Sequence, residues 1–360
     1  MKVNLSYMKN KEVLIFYPYP HAFGGIEELF CILSASIKVK VVCFEDKLGL
    51  AKYSKNIVVI DLKPRSYFEK IFLVKKFFSN SENLTTPIMW GYKSAFFAYL
   101  ACIKKYNVHL DDPPSLILGF FKKKSFFVSL RHAIAEIINK KALQKANVRM
   151  TTCKRNAIEL NKHYGCNFKY CHPGTINKGH ILKKSNKKIF ILSISRLQHN
   201  KNLDWIINAI SLLKVINLKL FKKIEVNIIG KGEEKTFLEN LVFEKKVHEA
   251  IKFRGFVSNK AKDKFLKKSH IFVIPAVQGY GIPALEALSY KNKLVMNKET
   301  RISEIFKNNS VISISQNNFK SFNKNFLKTL DETSNNKKAN FNLILPDHKK
   351  WSKFIYTNSI

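Results

Sequence analysis

An α/β fold of two Rossmann-like domains is what this sequence predicts, and three observations lead there. Short apolar runs alternate with helical stretches along most of the chain, and glycine turns stand directly after some of those runs. The alternation halts once, near residue 174, and then restarts. At 360 residues the chain is also too long for one typical core.

In order, Val13 to Tyr17 is a short apolar run closed by Pro18 and Pro20, the pattern of a buried parallel strand. His21 to Gly25 then makes a glycine turn into the helically spaced segment IEELFCILSASI. Val39 to Phe44, Ile57 to Ile60 and Pro87 to Trp90 read as further strands, and Ser94 to Lys105 as a helix. Asn107 to Leu110 runs into the loop Asp111-Asp112-Pro113-Pro114, and a helix over Ala133 to Ala146 precedes a strand at Val148 to Thr152. Cys171-His172-Pro173-Gly174, followed by the polar run Asn177 to Lys188, marks a linker. The second half predicts strands at Ile189 to Ser193, Ile224 to Ile229, Ile251 to Phe253 and Ile271 to Ile274. Helices are predicted at Leu203 to Leu213, Glu233 to Glu244, Lys260 to Lys268, and from Pro283 to Ser289, with a closing helix over Asp347 to Tyr356. The domains expected are 1–174, 175–345 and a terminal helix, 346–360, that crosses back to the first domain.

Composition narrows the function classes. A hydrophobic fraction of 46% and a charged fraction of 25% are those of a folded soluble protein. No run approaches the roughly 20 apolar residues of a membrane-spanning helix. Lys9, Lys11 and Glu12 interrupt what a secretory signal would need at the N-terminus. The six cysteines stand singly, without metal-ligand spacing, and read as reduced thiols in a cytosolic protein. The formal charge of +37 has three readings: compositional drift toward Lys, Asn, Ile and Phe, attraction to an anionic membrane, and nucleic-acid binding. The last ranks lowest, because the charge is spread along the chain and no nucleic-acid module is present.

The chemistry gathers in the second half. Pro275 to Glu286 reads as the end of a buried strand, a glycine loop and a helix opened by Pro283 at its first position. Free N–H groups and the helix dipole at such a start suit a diphosphate, and glycines let the backbone approach it. Glu286 suits a ribose diol. Arg196 and Lys201 follow the first strand of this half, where open α/β sheets bind ligands. Two cations there can neutralise a departing nucleoside diphosphate.

From Ile189 to Glu304 the sequence resembles the nucleotide-sugar-binding domain of retaining GT-B fold glycosyltransferases of family four, the glycosyl transferases group 1. The segments SISRLQHNKNLDWIINAI, IIGKGEEKTFLENLV, IKFRGFVSNKAKDKFLKKSHIFVIPA, QGYGIPALEAL and RISEI stand in the family's order. Weaker resemblance covers GGIEE, VHLDDPP and NKKALQKANVRMTTCKRNAIEL in the first half, and Trp351 in the last helix. The resemblance implies two domains facing each other across a cleft. It implies Arg196 and Lys201 on the diphosphate, Glu286 on the ribose, and Gly279, Tyr280, Gly281, Ile282 and Pro283 against the sugar and phosphates. Gly230, Gly232, Phe256 and Val257 fall in segments that meet the donor, and Gly25 would shape the cleft from the other domain. One departure stands out: the first glutamate of the signature is Gln278, and an amide cannot serve as nucleophile or base. Asn202 replaces the glycine that usually follows the lysine. In the first half, His109, Asp111 and Asp112, with His132 as a further candidate, are expected on the acceptor side, with His109 a possible proton acceptor.

The function expected is retaining transfer of a hexosyl residue from a UDP- or GDP-sugar to a hydroxyl of a lipid-linked oligosaccharide, as in O-antigen or capsule assembly. No metal or other cofactor is expected, and no specific nucleic-acid partner. The expected location is the inner face of the cytoplasmic membrane. The alternatives are a nucleotide-sugar-binding protein whose catalysis is weakened or lost, and a GT-B epimerase or phosphorylase.

Overall fold

The computed structural model describes residues 11–79, 85–118, 126–176 and 187–360. The chain forms two compact units, residues 1–176 together with 346–360, and residues 177–345.

The first unit is built on β1 (Glu12–Phe16), β2 (Lys38–Cys43), β3 (Ile57–Asp61), β4 (Ile88–Trp90), β5 (Asn107–Leu110), β6 (Arg149–Thr151) and β7 (Lys169–Tyr170). They form one sheet in the order β3-β2-β1-β4-β5-β6-β7, and every pairing is parallel. The helices between them are α1 (Gly25–Ser34), α2 (Tyr67–Ser79), α3 (Tyr92–Leu100), α4 (Pro114–Leu118), α5 (Phe126–Lys145) and α6 (Lys154–Tyr164). Strand residues Phe16, Val42, Met89 and Val108 pack with Ala98 of α3, Leu143 of α5 and Leu160 of α6 in a continuous core. Parallel strands covered on both faces need apolar residues at successive positions, which is why Val13 to Phe16 is buried throughout.

The second unit repeats the plan with β8 (Ile189–Ile194), β9 (Ile224–Ile229), β10 (Ile251–Gly255), β11 (Ile271–Ile274), β12 (Lys293–Asn297) and β13 (Ile312–Ser315). Their order is β10-β9-β8-β11-β12-β13, again parallel throughout. Around them lie α7 (Leu203–Ile216), α8 (Leu218–Phe221), α9 (Lys235–Glu244), α10 (Asn259–Lys268), α11 (Ile282–Ser289) and α12 (Phe319–Ser334). Ile206, Ile207 and Ile210 of α7 and Phe322 and Phe326 of α12 fill the core against Ile191, Val226, Ile271 and Val295. The last helix, α13 (His348–Thr357), packs in the first unit. There Trp351 and Ile355 are fully buried, and Asn107 Nδ2 donates to the Asn358 carbonyl at 2.8 Å.

Some elements differ from the sequence reading. The helix expected over Ser94 to Lys105 is α3 and ends at Leu100, with Cys102 taking a left-handed φ of 55°. The helix expected from Ala133 is α5 and begins at Phe126. The polar linker run falls largely on residues 177–186, outside the described residues.

Candidate functional site

In the second unit β8 and β11 lie side by side, while β9 continues the sheet on one flank and β12 on the other. The carboxyl ends of strands at such a switch point form the crevice where open α/β sheets take ligands. After β8 the chain passes Ser195-Arg196-Leu197 into a 3-10 turn, His199–Lys201. After β11 it passes Pro275 to Gly281 into α11.

Side chains tie these two loops together. Asn200 Nδ2 donates to the Val277 carbonyl at 3.0 Å, and Val277 N–H donates back to the Asn200 carbonyl at 2.9 Å. Asn202 Nδ2 donates to the Pro275 carbonyl at 2.9 Å. Lys201 is 7% exposed, and its Nζ donates to Gln278 Oε1 at 3.0 Å. An ammonium withdrawn from water needs such acceptors. Asn202 holds a left-handed φ of 49°, a conformation that glycine and asparagine take with least strain, so its replacement of glycine leaves the turn intact. Arg196, on the same loop, is exposed.

The loop into α11 is equally fixed. Gly281 is the N-cap with φ of 91°, and a Cβ there would stand 2.7 Å from Thr300 Cγ2, so only glycine fits. Ile282 opens the helix, which corrects the expectation for Pro283: it occupies the second helical position. Arg301 N–H and Ile302 N–H donate to the Gly279 and Tyr280 carbonyls at 3.2 and 2.9 Å. Tyr280 and Ile282 are buried, so the loop offers a ligand its backbone and not these side chains. The first N–H groups of α11 have no carbonyl of their own helix to bond, and the helix dipole adds positive potential there.

Glu286 lies farther along α11, 4% exposed, with Oε1 2.8 Å from Lys262 Nζ of α10. Tyr290 closes this cluster. Burial, with the Asp263 carboxylate beside it, pushes its hydroxyl up to about 12. β10 ends at Gly255, where φ is 65°, and next come Phe256, 57% exposed, and the half-buried Val257. An exposed ring at a strand's carboxyl end presents a face on which a planar base can stack. Gly230 and Gly232 have a different local reason. A Cβ on Gly230 would collide with the Ser195 carbonyl, and one on Gly232 with the Leu197 carbonyl. They let the turn after β9 close on the loop that carries Arg196, whose Leu197 N–H donates to the Lys231 carbonyl of that turn at 3.0 Å.

In the first unit Gly25 is the exposed first residue of α1. Gly24 N–H before it donates to Glu27 Oε2 at 2.9 Å, and Tyr17 Oη donates to Glu27 Oε1 at 2.9 Å. The expectation for His109 is corrected. Its ring is fully buried, stacked on Trp90 with centroids 4.0 Å apart and edged by Trp351 at 6.5 Å. Burial holds its pKa down at about 3, so it is a neutral core ring and not a group that meets an acceptor. Asp111, two residues on, is 13% exposed and sits 3.4 Å from His109 Nδ1, with Trp90 Nε1 donating to its Oδ2 at 2.6 Å. Burial, and then the neighbouring Asp112 carboxylate, push its pKa up to about 8. Asp112 itself is exposed. His132 falls within α5, with its side chain outside the described residues.

Two contributors carry no signal in the sequence. Lys262 is one of several lysines in NKAKDKFLKK, and nothing in that run marks it as the partner of Glu286. Trp90, which positions Asp111, comes from another strand and only the sheet brings them together.

Residues 177–342 match the model of glycosyl transferases group 1. An uncharacterized glycosyltransferase of Methanocaldococcus jannaschii is 32% identical over 119 residues, which are 32% of this chain and 29% of that protein. The match thus spans under a third of that relative's length. Among solved structures, the apo form of the lipopolysaccharide outer core galactosyltransferase WaaB matches with a TM-score of 0.66 at 12% identity, covering 97% of both chains. Anabaena HepE in complex with UDP and glucose matches with a TM-score of 0.71 at 13% identity, covering 96% of this chain and 95% of that one. By sequence, residues 177–342 of the second unit match the glycosyl transferases group 1 model, and the chain has the GT-B fold, with its two Rossmann-like units, of the solved galactosyltransferase it matches.

Proposed function

We propose that the protein is a retaining glycosyltransferase that moves a hexosyl residue from a nucleoside diphosphate sugar to an acceptor hydroxyl. The observation that carries this reading is the Lys201–Gln278 hydrogen bond, which joins two motifs far apart in sequence beside the start of α11. Arg196, Lys201 and the N-terminus of α11 then neutralise the departing diphosphate, and this electrostatic stabilisation requires no metal. Glu286, held by Lys262, binds the ribose, and Phe256 with Val257 meets the base. The structural neighbour that holds UDP and glucose supports a UDP-sugar ahead of a GDP-sugar. Gln278 supplies an amide to a sugar hydroxyl and no carboxylate, so transfer rests on leaving-group stabilisation. Asp111 and Asp112 belong to the acceptor side.

The acceptor in this reading is a lipid-linked oligosaccharide of cell-surface polysaccharide assembly, met at the inner face of the cytoplasmic membrane. Its support is the charge of +37 and the fold shared with an enzyme of the lipopolysaccharide outer core. Because Gln278 replaces the signature glutamate, a donor-binding protein without transfer is the second reading.

Thermal stabilisation by UDP-, GDP-, ADP- and dTDP-sugars, with and without a chelator, tests the donor site. One nucleotide family is expected to raise the melting temperature equally in both conditions. Glu286→Ala should abolish the shift, and Lys262→Met should weaken binding by about tenfold, the loss of one well-formed charged contact. No shift with any nucleotide would overturn the donor assignment. A shift without transfer or hydrolysis would select the second reading.

A further inference from the structure

The helix α2 presents an unusual face to solvent. Phe68 is 84% exposed and Phe72 is 61% exposed, and the two stand one helical turn apart. Tyr67 beside them is 49% exposed, while Val74 and Phe78 on the other side are buried in the core. Exposed cations bracket the two rings: Lys63 and Arg65 at the amino end, Lys75 and Lys76 at the carboxyl end. Lys70 turns inward instead, its ammonium 5.5 Å from the Tyr19 ring centroid and 5.7 Å from that of Phe44. From Lys63 to Ser79 the only acidic residue is Glu69, whose carboxylate accepts from Arg65 N–H.

We infer that this face of α2 is the surface by which the protein docks on an anionic lipid bilayer, Phe68 and Phe72 entering the headgroup boundary while Lys63, Arg65, Lys75 and Lys76 meet lipid phosphates. The chemistry matches that surface: aromatic rings settle at the interface, and basic side chains around them gain from its negative potential. A second copy of the chain would bring the same four cations face to face. The cores of protein interfaces are depleted in lysine, so a protein partner fits less well. Topology adds a reason for the location. α2 begins just after the carboxyl end of β3. In this parallel sheet that is the edge where Gly24-Gly25 follows β1 and Asp111-Asp112 follows β5. A bilayer held at Phe68 lies along the edge that carries the acceptor-side residues, where a lipid-linked substrate would arrive. The inference rests on the membrane-face reading above and specifies its surface.

Co-sedimentation of the full chain with phosphatidylglycerol–phosphatidylethanolamine vesicles and with phosphatidylcholine vesicles, at low and high salt, tests it. The protein should bind the anionic vesicles and be released by salt. The Phe68→Ser/Phe72→Ser double variant should partition at least about tenfold less. Lys75→Glu/Lys76→Glu should lose most of the salt-sensitive binding. Both variants should keep the wild-type melting temperature and its shift with donor nucleotide, which shows that folding and donor site are intact. Variants that bind as well as the wild type would overturn the docking surface and leave membrane association standing. A wild type that ignores anionic vesicles would overturn the membrane reading itself. Self-association lost only in the phenylalanine variant would replace the bilayer with a second copy.

Discussion

His109 and Asp111 stand two residues apart on one strand end, and burial acts on them in opposite directions. Neutral imidazole and neutral carboxyl are the forms burial favours, hence pKa values of about 3 and about 8 against ordinary values of 6.5 and 3.8. Between roughly pH 4 and 6.5 the folded pair holds one proton and so does the unfolded pair, so folding stability is flat there. Above about pH 6.5 the unfolded histidine releases its proton while folded Asp111 keeps its own up to about pH 8. The folded state then binds more protons, and stability falls as pH rises across that window, by at most about 2 kcal/mol. Asp111→Asn should remove this loss above pH 6.5. It should also uncover a fall below pH 6.5, where only the unfolded histidine is protonated. Chemical denaturation of both proteins across pH 5 to about 8.5 checks the shape. Identical profiles would mean that Asp111 titrates normally. The sequence placed both residues at a strand end, but which one faces the core depended on Trp90 and Trp351 from elsewhere in the chain.

At the scale of elements, the site is a matter of two loops closing on two neighbours. Gly230 and Gly232 were legible as a glycine turn after a strand, which suggests a ligand contact. The structure shows a second reason: the turn lies against the carbonyls of Ser195 and Leu197. Gly230→Ala should destabilise the second unit by more than about 1 kcal/mol, because φ of 145° and the Ser195 carbonyl both oppose a Cβ. It should also weaken donor binding by displacing the Arg196 loop. A lowered melting temperature with unchanged nucleotide affinity would separate the two effects and count against that coupling. Among the elements, α12 went unread although Phe319, Phe322, Phe326 and Leu330 recur at helical spacing, a signal present in the sequence. β12 and β13 are harder to see, since KLVMN and ISIS are short runs that periodicity cannot assign.

For the whole molecule, α13 is the piece that sequence distance hides. It follows the entire second unit in the chain, yet belongs to the first, and Gly174 allows its start to lie backbone to backbone with His348. Trp351 is fully buried against Trp90 and His109. Trp351→Ala should therefore destabilise the first unit by about 3–5 kcal/mol. The second unit, whose core does not contain Trp351, should unfold as before. Calorimetry should show one transition moving down and the other staying; two transitions moving together would show that the units unfold as one.

The sequence by itself determined the α/β class, the positions of most strands, the break between the halves and the order of the second half's motifs. These are local properties: strands buried on both faces must be apolar, loops at their carboxyl ends must turn tightly, and both needs are written in consecutive residues. Only the tertiary structure decided which residues share a site. Lys201 meets Gln278 because β8 pairs with β11, and Lys262 meets Glu286 because α10 leads into β11 and α11 leads out of it. His109 is withdrawn from the surface because two tryptophans from other elements cover it. Contacts between residues distant in the chain depend on sheet order and packing, and no local pattern of apolar and polar residues encodes those pairings.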